Sequence, residues 1–261
     1  MLRIITDFDG PIVDVSQRYY RVYQLCLEKT RNPQNQVKEL SFSEFWALKR
    51  SHIPEKQIGI ISGLNDMQAE EFAQLRKQTV HTHPYFQHDT LQPGAVDALL
   101  KFQQAGCDLV VMTMRRVSEL NYALVKDNLG RFFSEDRRYC LSDDYVKTQD
   151  VRDKPLLMQR ALAELPTATD TWMIGDTEAD VAAAKKYGIK VIAVESGIRD
   201  RTQLERYQPN YYLPSLADAV DFILKTSASS LKDNWILAKY PQLSNQEASS
   251  TSSQTLISSK K

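Results

Sequence analysis

The stretch IITDFDGPIVD, residues 4–14, has two carboxylates directly after a run of apolar residues. Asp7 and Asp9 are two positions apart, and side chains at i and i+2 of a strand point to the same face. Two like charges this close disfavour each other's ionised form. Either the pair is a solvated strand end, or a cation lies between the two carboxylates. Gly10 follows at once and predicts a sharp turn.

The composition is that of a globular protein, with 42% hydrophobic and 25% charged residues in a chain of 261. This length suffices for one large domain, or for one domain with a substantial insertion. Lysine plus arginine and aspartate plus glutamate both number 33, so there is no net charge to attract nucleic acid or an anionic membrane. No apolar stretch approaches the ~20 residues that span a bilayer. We therefore expect neither nucleic acid nor a membrane as a partner.

The three cysteines, Cys26, Cys107 and Cys140, are far apart and form no C-x-x-C pair. This pattern argues against a disulfide framework and for a reducing compartment. Asp7 also comes too early for the apolar region of a signal peptide. A cytoplasmic location is the expectation.

Short apolar runs alternate with helical patterns over most of the chain. The pattern predicts strands at residues 2–6, 107–113, 171–174 and 190–194, with weaker candidates at 139–141 and 211–213. It predicts helices at residues 95–105, 117–129, 154–165 and 178–187. Such alternation is typical of an α/β fold with a Rossmann-like, three-layer parallel sheet. Ligands of these sheets bind at the carboxyl ends of the strands, where the loops converge.

Residues 15–90 and 226–261 depart from this alternation. Helical patterns at 42–50, 54–61 and 66–80 follow a first one around Tyr19 and Val22, without a convincing strand between them. They predict a helical domain, residues 15–90, inserted into a core made of residues 1–14 and 91–225. Residues 226–261 contain SASS and SSTSSQ and are expected to form a disordered tail.

Four short motifs carry candidate chemistry, and each has a plain structural alternative. A hard cation such as Mg²⁺ would resolve the repulsion between Asp7 and Asp9, and a carboxylate beside it is a competent nucleophile at phosphorus. Thr113 ends a predicted strand and is either a helix N-cap or a hydroxyl that binds a phosphoryl oxygen together with helix-start amides. Asp176 and Asp180 are four residues apart and either suit a helix macrodipole or complete an acidic pocket.

The remaining motif is a lysine in VRDKPLLMQRAL, residues 151–162. Lys154 comes directly before Pro155, which is predicted to open a helix, so its side chain would lie near a strand-to-helix loop. There it could neutralise a nucleophilic carboxylate and a phosphate together. Arg152 is the alternative residue for that role. The structural alternative is that Lys154 is an ordinary exposed lysine.

The order of these motifs resembles that of the haloacid-dehalogenase superfamily of phosphohydrolases: D-x-D-G, a strand-final Thr, a Lys, then G-D-x-x-x-D. The resemblance covers about residues 2–224. It implies Asp7 as the nucleophile, which forms an aspartyl-phosphate, and Asp9 as the general acid and base. It also implies Mg²⁺ as the cofactor, with a small phosphorylated metabolite as the substrate and the inserted helices as a cap. The implied ligands of the metal are Asp7, the backbone carbonyl of Asp9, and Asp176, with Asp180 in support; the implied phosphate-binding residues are Thr113, Lys154, Gly10 and Met114.

Two residues depart from the pattern of the family. Pro11 stands where relatives commonly have Thr or Val, and Met114 stands where phosphatases often have Asn. Arg115 follows next in the sequence and is the expected substitute for that contact, and it is also a candidate substrate-binding residue. An acid at position 9 makes the dehalogenases and the phosphonate-cleaving members less similar to this chain.

The cap is expected to supply substrate recognition, with Lys49 and Arg50 as candidates for binding an anionic substrate. A solvated helix face is the alternative for both. His81, His83 and His88 give only thin support for a transition-metal site. The sequence thus predicts a Mg²⁺-dependent phosphatase of a small phosphomonoester. A phosphomutase of the same superfamily, or a catalytically silent phosphate- or protein-binding relative, is the alternative, and the oligomeric state is left open.

Overall fold

The computed structural model describes residues 1–32 and 36–239 and contains a six-stranded parallel sheet. Its strand order is β5-β4-β1-β6-β7-β8, and a separate two-stranded sheet pairs β2 with β3. The strands are β1 Leu2–Thr6, β2 Val13–Asp14, β3 Thr90–Leu91, β4 Asp108–Arg116, β5 Arg138–Leu141, β6 Asp170–Gly175, β7 Lys190–Val194 and β8 Tyr211–Leu213. The predicted α/β fold with a parallel sheet is confirmed.

The helices fall into an inserted group and a group that alternates with the strands. The inserted helices are α1 Ser16–Thr30, α2 Phe42–Arg50, α3 Glu55–Ile61 and α4 Asp66–Thr79. The others are α5 Ala95–Gln104, α6 Val117–Lys126, α7 Asp150–Glu164, α8 Glu178–Lys186, α9 Arg201–Glu205 and α10 Leu216–Lys239.

The first strand lies in the middle of the large sheet, between β4 and β6. Its residue Ile4 is in register with Leu109 on one side and with Trp172 on the other. Ile4 and Ile5 are fully buried, which is why this strand reads as a continuous apolar run and not as an alternating one. The main cluster of buried apolar side chains in the core includes Ile5, Val110, Met112, Met158, Ala161, Met173 and Ala184.

Strand β4 and helix α7 extend beyond the residues expected for them. Strand β4 continues to Arg116, three residues past the predicted end at Thr113, and α6 follows directly at Val117, as predicted. Helix α7 begins at Asp150, and Pro155 lies inside it. The carboxylate of Asp153 accepts hydrogen bonds from the N–H (2.8 Å) and the hydroxyl (2.7 Å) of Thr148, which stabilise the turn before the proline.

Helices α1–α4, which we call the cap, have a buried apolar cluster of their own. The hydroxyl of Tyr23 accepts a hydrogen bond from the N–H of Leu40 (2.8 Å) and shares another with the hydroxyl of Ser62 (2.9 Å). The two short strands β2 and β3 pair antiparallel where the chain leaves the core for the cap and returns from it. A capping box of Ser41 and Glu44 begins α2. The buried apolar side chains of the cap include Val22, Tyr23, Cys26, Phe45, Ile58, Ala69 and Phe72.

The chain divides into two compact units, Met1–Ala219 and Val220–Lys261. The first unit contains the sheet and the cap, and the second contains most of α10. This helix includes residues 226–239, the first part of the expected tail. The reason lies in the local sequence, because no glycine or proline interrupts it before Pro241. Residues 240–261 of the predicted tail lie outside the described part of the chain.

None of the helices in residues 1–32 and 36–239 is both long enough and apolar enough to cross a bilayer. The cysteines Cys26, Cys107 and Cys140 are all free thiols.

Candidate active site

Asp7 is the first residue after β1, and it is buried where the strand ends. One of its carboxylate oxygens accepts a hydrogen bond from the N–H of Phe8 (2.6 Å). The other forms an ion pair with Nζ of Lys154 (2.7 Å). Burial raises the pKa of Asp7 well above its usual value, although Lys154 lowers it and the nearby Asp180 and Asp176 raise it again. The residue is thus a buried carboxylate with a single close cation.

Asp7, Asp176 and Asp180 form a group of buried acids whose carboxylate oxygens lie within 4.8 Å of one another. Asp176 follows β6 directly, and its Oδ2 accepts a hydrogen bond from the N–H of Ile198 (2.7 Å). Its Oδ1 is buried and, among the residues that the structure describes, has no hydrogen-bond partner. Burial raises the pKa of Asp176 to about 7, and the charge of Asp180 adds to that effect. Such a group is short of positive charge, which is the condition that a bound cation relieves.

Asp180 lies in the first turn of α8, where it forms a capping box with Thr177. Its Oδ2 accepts hydrogen bonds from the hydroxyl (2.7 Å) and the N–H (3.0 Å) of Thr177. Its other oxygen pairs with Lys154. The position at a helix N-terminus and the acidic group, which the sequence offered as alternatives, are therefore both present for Asp180.

Lys154 is fully buried and joins two of these acids, Asp7 and Asp180. Burial alone would lower the pKa of its ammonium group, but the two carboxylates raise it above the usual value. Arg152, the alternative for this role, is exposed. Helix α7 begins at Asp150, so the expectation that Pro155 opens the helix is wrong.

The turn after Asp7 requires glycine at position 10. Gly10 has φ +91, and a Cβ there would lie 2.2 Å from Cγ of Asp176. Three backbone hydrogen bonds close the turn. The carbonyl oxygen of Phe8 accepts from the N–H groups of Ile12 and Val13, and the N–H of Gly10 donates to the carbonyl oxygen of Val13. Since none of these bonds uses the nitrogen of residue 11, Pro11 fits the turn without loss of a donor.

Asp9 lies beside two guanidinium groups instead of the other acids. Its Oδ1 accepts from Nε (2.9 Å) and Nη2 (2.7 Å) of Arg115, and its Oδ2 accepts from Nη2 of Arg18 (3.2 Å). Burial would raise the pKa of Asp9, but Arg115 and Arg18 lower it to about 2. Its carboxylate is outside the group of three acids, whereas the expected metal ligand was its backbone carbonyl.

Asp89 completes this ion-pair cluster, and its role was missed in the sequence. It contacts Nη2 of Arg115 at 2.5 Å and Nε of Arg18 at 3.0 Å. Burial raises the pKa of Asp89 to about 6. The only signal in the sequence was its position next to the predicted end of the insertion, because the arginines are far from it along the chain.

Thr113 is buried, and its hydroxyl accepts a hydrogen bond from the N–H of Arg115 (3.2 Å). Arg116 and not Thr113 is the N-cap of α6, so the N-cap alternative for Thr113 is wrong. Met114 is partly buried and packs against the apolar cluster of the core.

The two cap residues expected to bind substrate have partners within the protein. Lys49 pairs with Glu55, which also binds Nη1 of Arg76 at 2.6 Å. Burial lowers the pKa of Lys49 to about 8, and Arg76 contributes to the shift. Arg50 donates from Nη2 to the carbonyl oxygens of Glu195 (2.7 Å) and Arg199 (3.4 Å) in the core.

Comparison with known proteins agrees with this geometry. Residues 152–219, which include Lys154, Asp176 and Asp180, match the HAD-hydrolase-like family model. This part of the chain is similar to HAD-hydrolase-like proteins. The resemblance inferred from the sequence is confirmed, and the expected phosphatase activity agrees with it.

Two similar proteins are pyrophosphatases named PpaX. The one from Bacillus mycoides is 25% identical over 170 residues, which are 62% of this chain and 73% of the relative. The one from Halalkalibacterium halodurans is 26% identical over 149 residues, 56% of this chain and 66% of the relative. Among solved structures, a putative phosphatase from Clostridium difficile has a TM-score of 0.64 at 17% identity and covers 85% of this chain and 97% of its own. A haloacid dehalogenase-like hydrolase from Streptococcus pneumoniae has a TM-score of 0.61 at 20% identity, with 85% and 97% coverage.

Proposed function

We propose that this phosphatase is Mg²⁺-dependent and hydrolyses a small phosphomonoester through an aspartyl-phosphate on Asp7. The observation that carries the proposal is the group of three buried acids, whose carboxylate oxygens lie within 4.8 Å of one another beside the ammonium group of Lys154. Three carboxylates and one lysine leave two negative charges at this place when all are ionised, which one divalent cation balances.

The donor set fits Mg²⁺, because carboxylate and carbonyl oxygens are the ligands this hard cation prefers. In the proposal Asp7, the backbone carbonyl of Asp9, and Asp176 hold the ion, and the free Oδ1 of Asp176 is a ready donor. Asp180 supports the site through its bonds to Thr177 and Lys154. When bound, Mg²⁺ would reduce the negative charge that opposes attack on the phosphoryl group.

The protein side chains would carry out two displacements at phosphorus. A carboxylate oxygen of Asp7 attacks, the bond between phosphorus and the leaving oxygen breaks, and Asp9 gives that oxygen a proton. Water then attacks the aspartyl-phosphate while Asp9 takes a proton from it, and Asp7 is released. Lys154, Thr113, Gly10 and Met114 hold the phosphoryl group. Arg115 and Arg18 keep Asp9 ionised, so it has no proton to give while they bind it. In the proposal Asp9 leaves these arginines when the substrate binds and takes up a proton from solvent before it acts as the acid.

The test is phosphate release from an aryl phosphate and from a panel of phosphorylated metabolites, with Mg²⁺ and after chelation by EDTA. Inorganic pyrophosphate belongs in the panel, because similar proteins bear the name pyrophosphatase. We expect release to need Mg²⁺ and to fall at least about 1000-fold in Asp7→Asn, which cannot form the acyl phosphate. Asp66→Asn, an exposed aspartate of the cap, is the matched control and should keep full activity.

Two results would contradict the proposal. Wild-type protein that releases phosphate from no compound of the panel would favour a silent relative. Interconversion of a sugar phosphate without net release of phosphate would identify a phosphomutase instead.

A further inference from the structure

We propose that Arg50 is a positioning residue that couples docking of the cap on the core to the metal-binding carboxylate of Asp176. The coupling runs through residues 195–200, which follow β7 and which we call the 195–200 loop. The inference rests on the proposed function in one respect, namely that Asp176 binds the metal ion.

The 195–200 loop contacts the acidic group directly. The N–H of Ile198 donates to Oδ2 of Asp176 at 2.7 Å. At Gly197 a Cβ would lie 1.9 Å from the same oxygen, so the carboxylate occupies the space that any other residue would need. The hydroxyl of Ser196 donates to the carbonyl oxygen of Gly10 at 3.0 Å. The loop therefore orients Asp176 and also supports the turn that follows Asp7.

The cap contacts the same loop at the end of α2. Nη2 of Arg50 donates to the carbonyl oxygens of Glu195 (2.7 Å) and Arg199 (3.4 Å), and the carbonyl oxygen of Arg50 accepts from the N–H of Asp200 (3.0 Å). The next residue, Ser51, donates from its hydroxyl to the carboxylate of Asp200 at 3.0 Å. One end of a cap helix thus bonds to the first residue of the loop and to its last two.

The loop is also tied to α8, the helix that bears Asp180. Arg199 forms a two-pronged ion pair with Glu178, at 2.8 and 2.9 Å. Nε2 of His52, two residues after Arg50, lies 3.8 Å from the same carboxylate. The cap, the loop and the start of α8 are therefore joined by consecutive polar contacts.

The position of the bonds explains why Arg50 should influence Asp176. Its guanidinium group bridges two carbonyl oxygens, and Ile198, whose N–H holds Asp176, lies between them in the chain. Without the bridge, the loop loses one of the contacts that fix its ends, and the N–H of Ile198 is held less firmly towards Asp176. Coupling is reciprocal, so a metal ion that orders Asp176 should in turn favour the docked cap.

The main measurement is the affinity for Mg²⁺ in the absence of substrate, by titration calorimetry. For Arg50→Gln we expect binding at least about fivefold weaker than in the wild type, the lower end of typical coupling between sites. Arg21→Gln is the matched control, because Arg21 is an exposed cap arginine that contacts only Gln24 (3.2 Å) among its described hydrogen bonds, and it should bind as the wild type does. Ser51→Ala removes one bond to the loop and serves as a milder variant should Arg50→Gln fail to fold.

Amide hydrogen exchange gives a second readout that does not depend on activity. In metal-free protein, exchange at the N–H of Ile198 should be faster in Arg50→Gln than in the wild type, and unchanged in Arg21→Gln. Addition of Mg²⁺ should slow exchange in α2 of the wild type but not in α2 of Arg50→Gln.

Asp176→Asn separates failure of this inference from failure of the proposed function. If Asp176→Asn binds Mg²⁺ as the wild type does, the proposed metal site is wrong. If Asp176→Asn loses binding while folded Arg50→Gln, or Ser51→Ala in its place, keeps wild-type affinity and wild-type exchange at Ile198, the coupling is wrong. A raised KM with unchanged Mg²⁺ affinity would make Arg50 a substrate-binding residue instead.

Discussion

Among single residues, Asp9 depends most on partners that lie far away in the sequence. Both of its oxygens accept from guanidinium groups, one on the first cap helix and one on β4. The same two arginines bind Asp89, so two cations and two anions share one buried cluster. Burying either carboxylate alone would be unfavourable, which makes the four residues interdependent. A change to any of them should therefore disturb both Asp9 and the attachment of the cap.

His81 lies near this cluster and gives the protein a predictable response to acid. Burial lowers the pKa of His81 well below its usual value, and the charges of Arg18, Lys147 and Arg115 lower it further, whereas Asp9 opposes them. Above pH ~6.5 the imidazole is neutral in both the folded and the unfolded chain. Below that pH only the unfolded chain takes up the proton, so the free energy of unfolding should fall as the pH falls.

Replacement of His81 by a side chain that cannot titrate should remove this loss. Between pH 7.5 and 5 we expect the wild type to lose up to about 2 kcal/mol more stability than His81→Gln does. Urea unfolding at the two pH values measures the difference. His83→Gln, at an exposed histidine two positions away, should behave as the wild type does. Equal pH dependence in His81→Gln and the wild type would mean that the imidazole titrates normally in the folded chain.

At the scale of helices and strands, the sequence predicts the bounds of an element when the signal lies in that element's own residues. Strands β1 and β7 have the predicted bounds because their runs of apolar residues are bordered by polar ones. Helix α2 has its predicted bounds too, since its capping box is a local signal. Strand β4 was predicted too short, because Arg115 continues it into a buried cluster whose acidic members lie elsewhere in the chain.

The residues of the site could likewise be predicted only where a local signal marks them. The acids Asp7, Asp176 and Asp180 could be predicted because each follows a recognisable strand or begins a helix. Asp89 and the bonds from Arg50 to the 195–200 loop could not, because they join residues separated by 26 and by 145 or more positions. Their partners are set by how the cap lies on the core, and no local pattern encodes that.

The packing of the cap helices depends on one buried hydroxyl, that of Tyr23. It bonds to the N–H of Leu40 and to the hydroxyl of Ser62, so it ties α1 to the segments before α2 and after α3. Tyr23→Phe would leave the N–H of Leu40 buried without this partner, and we expect a loss of about 1–3 kcal/mol in the free energy of unfolding. Urea unfolding at neutral pH measures it.

Tyr207→Phe is the control for this change, since Tyr207 is 38% exposed. Its effect should stay within about 0.5 kcal/mol, as for most surface substitutions. If Tyr23→Phe unfolds at the same urea concentration as the control, the hydroxyl contributes nothing to the stability of the cap.

At the scale of the whole molecule, the zero net charge conceals a strong local separation of charge. Among the described residues, Lys154 is the cation that forms ion pairs with the three acids of the proposed metal site, whereas Asp9 and Asp89 are matched by Arg18 and Arg115. One of the two adjoining clusters is therefore balanced by the protein, and the other is left for a bound cation to balance. The contrast supports the proposal that this neutral chain binds a divalent cation at the group of three acids.

Every residue of the proposed site, and every residue of the coupling through Arg50, lies between positions 7 and 200. All of them belong to the unit Met1–Ala219. We therefore expect a chain that ends at Lys239 to keep the kcat/KM of the full chain for an aryl phosphate within about twofold. The reason is that the truncation removes no residue that binds the substrate or stabilises the transition state in the proposal. Steady-state kinetics of the two chains at the same Mg²⁺ concentration, together with their melting temperatures, provide the measurement. A tenfold lower kcat/KM in the shorter chain at an unchanged melting temperature would mean that residues 240–261 contribute to the site.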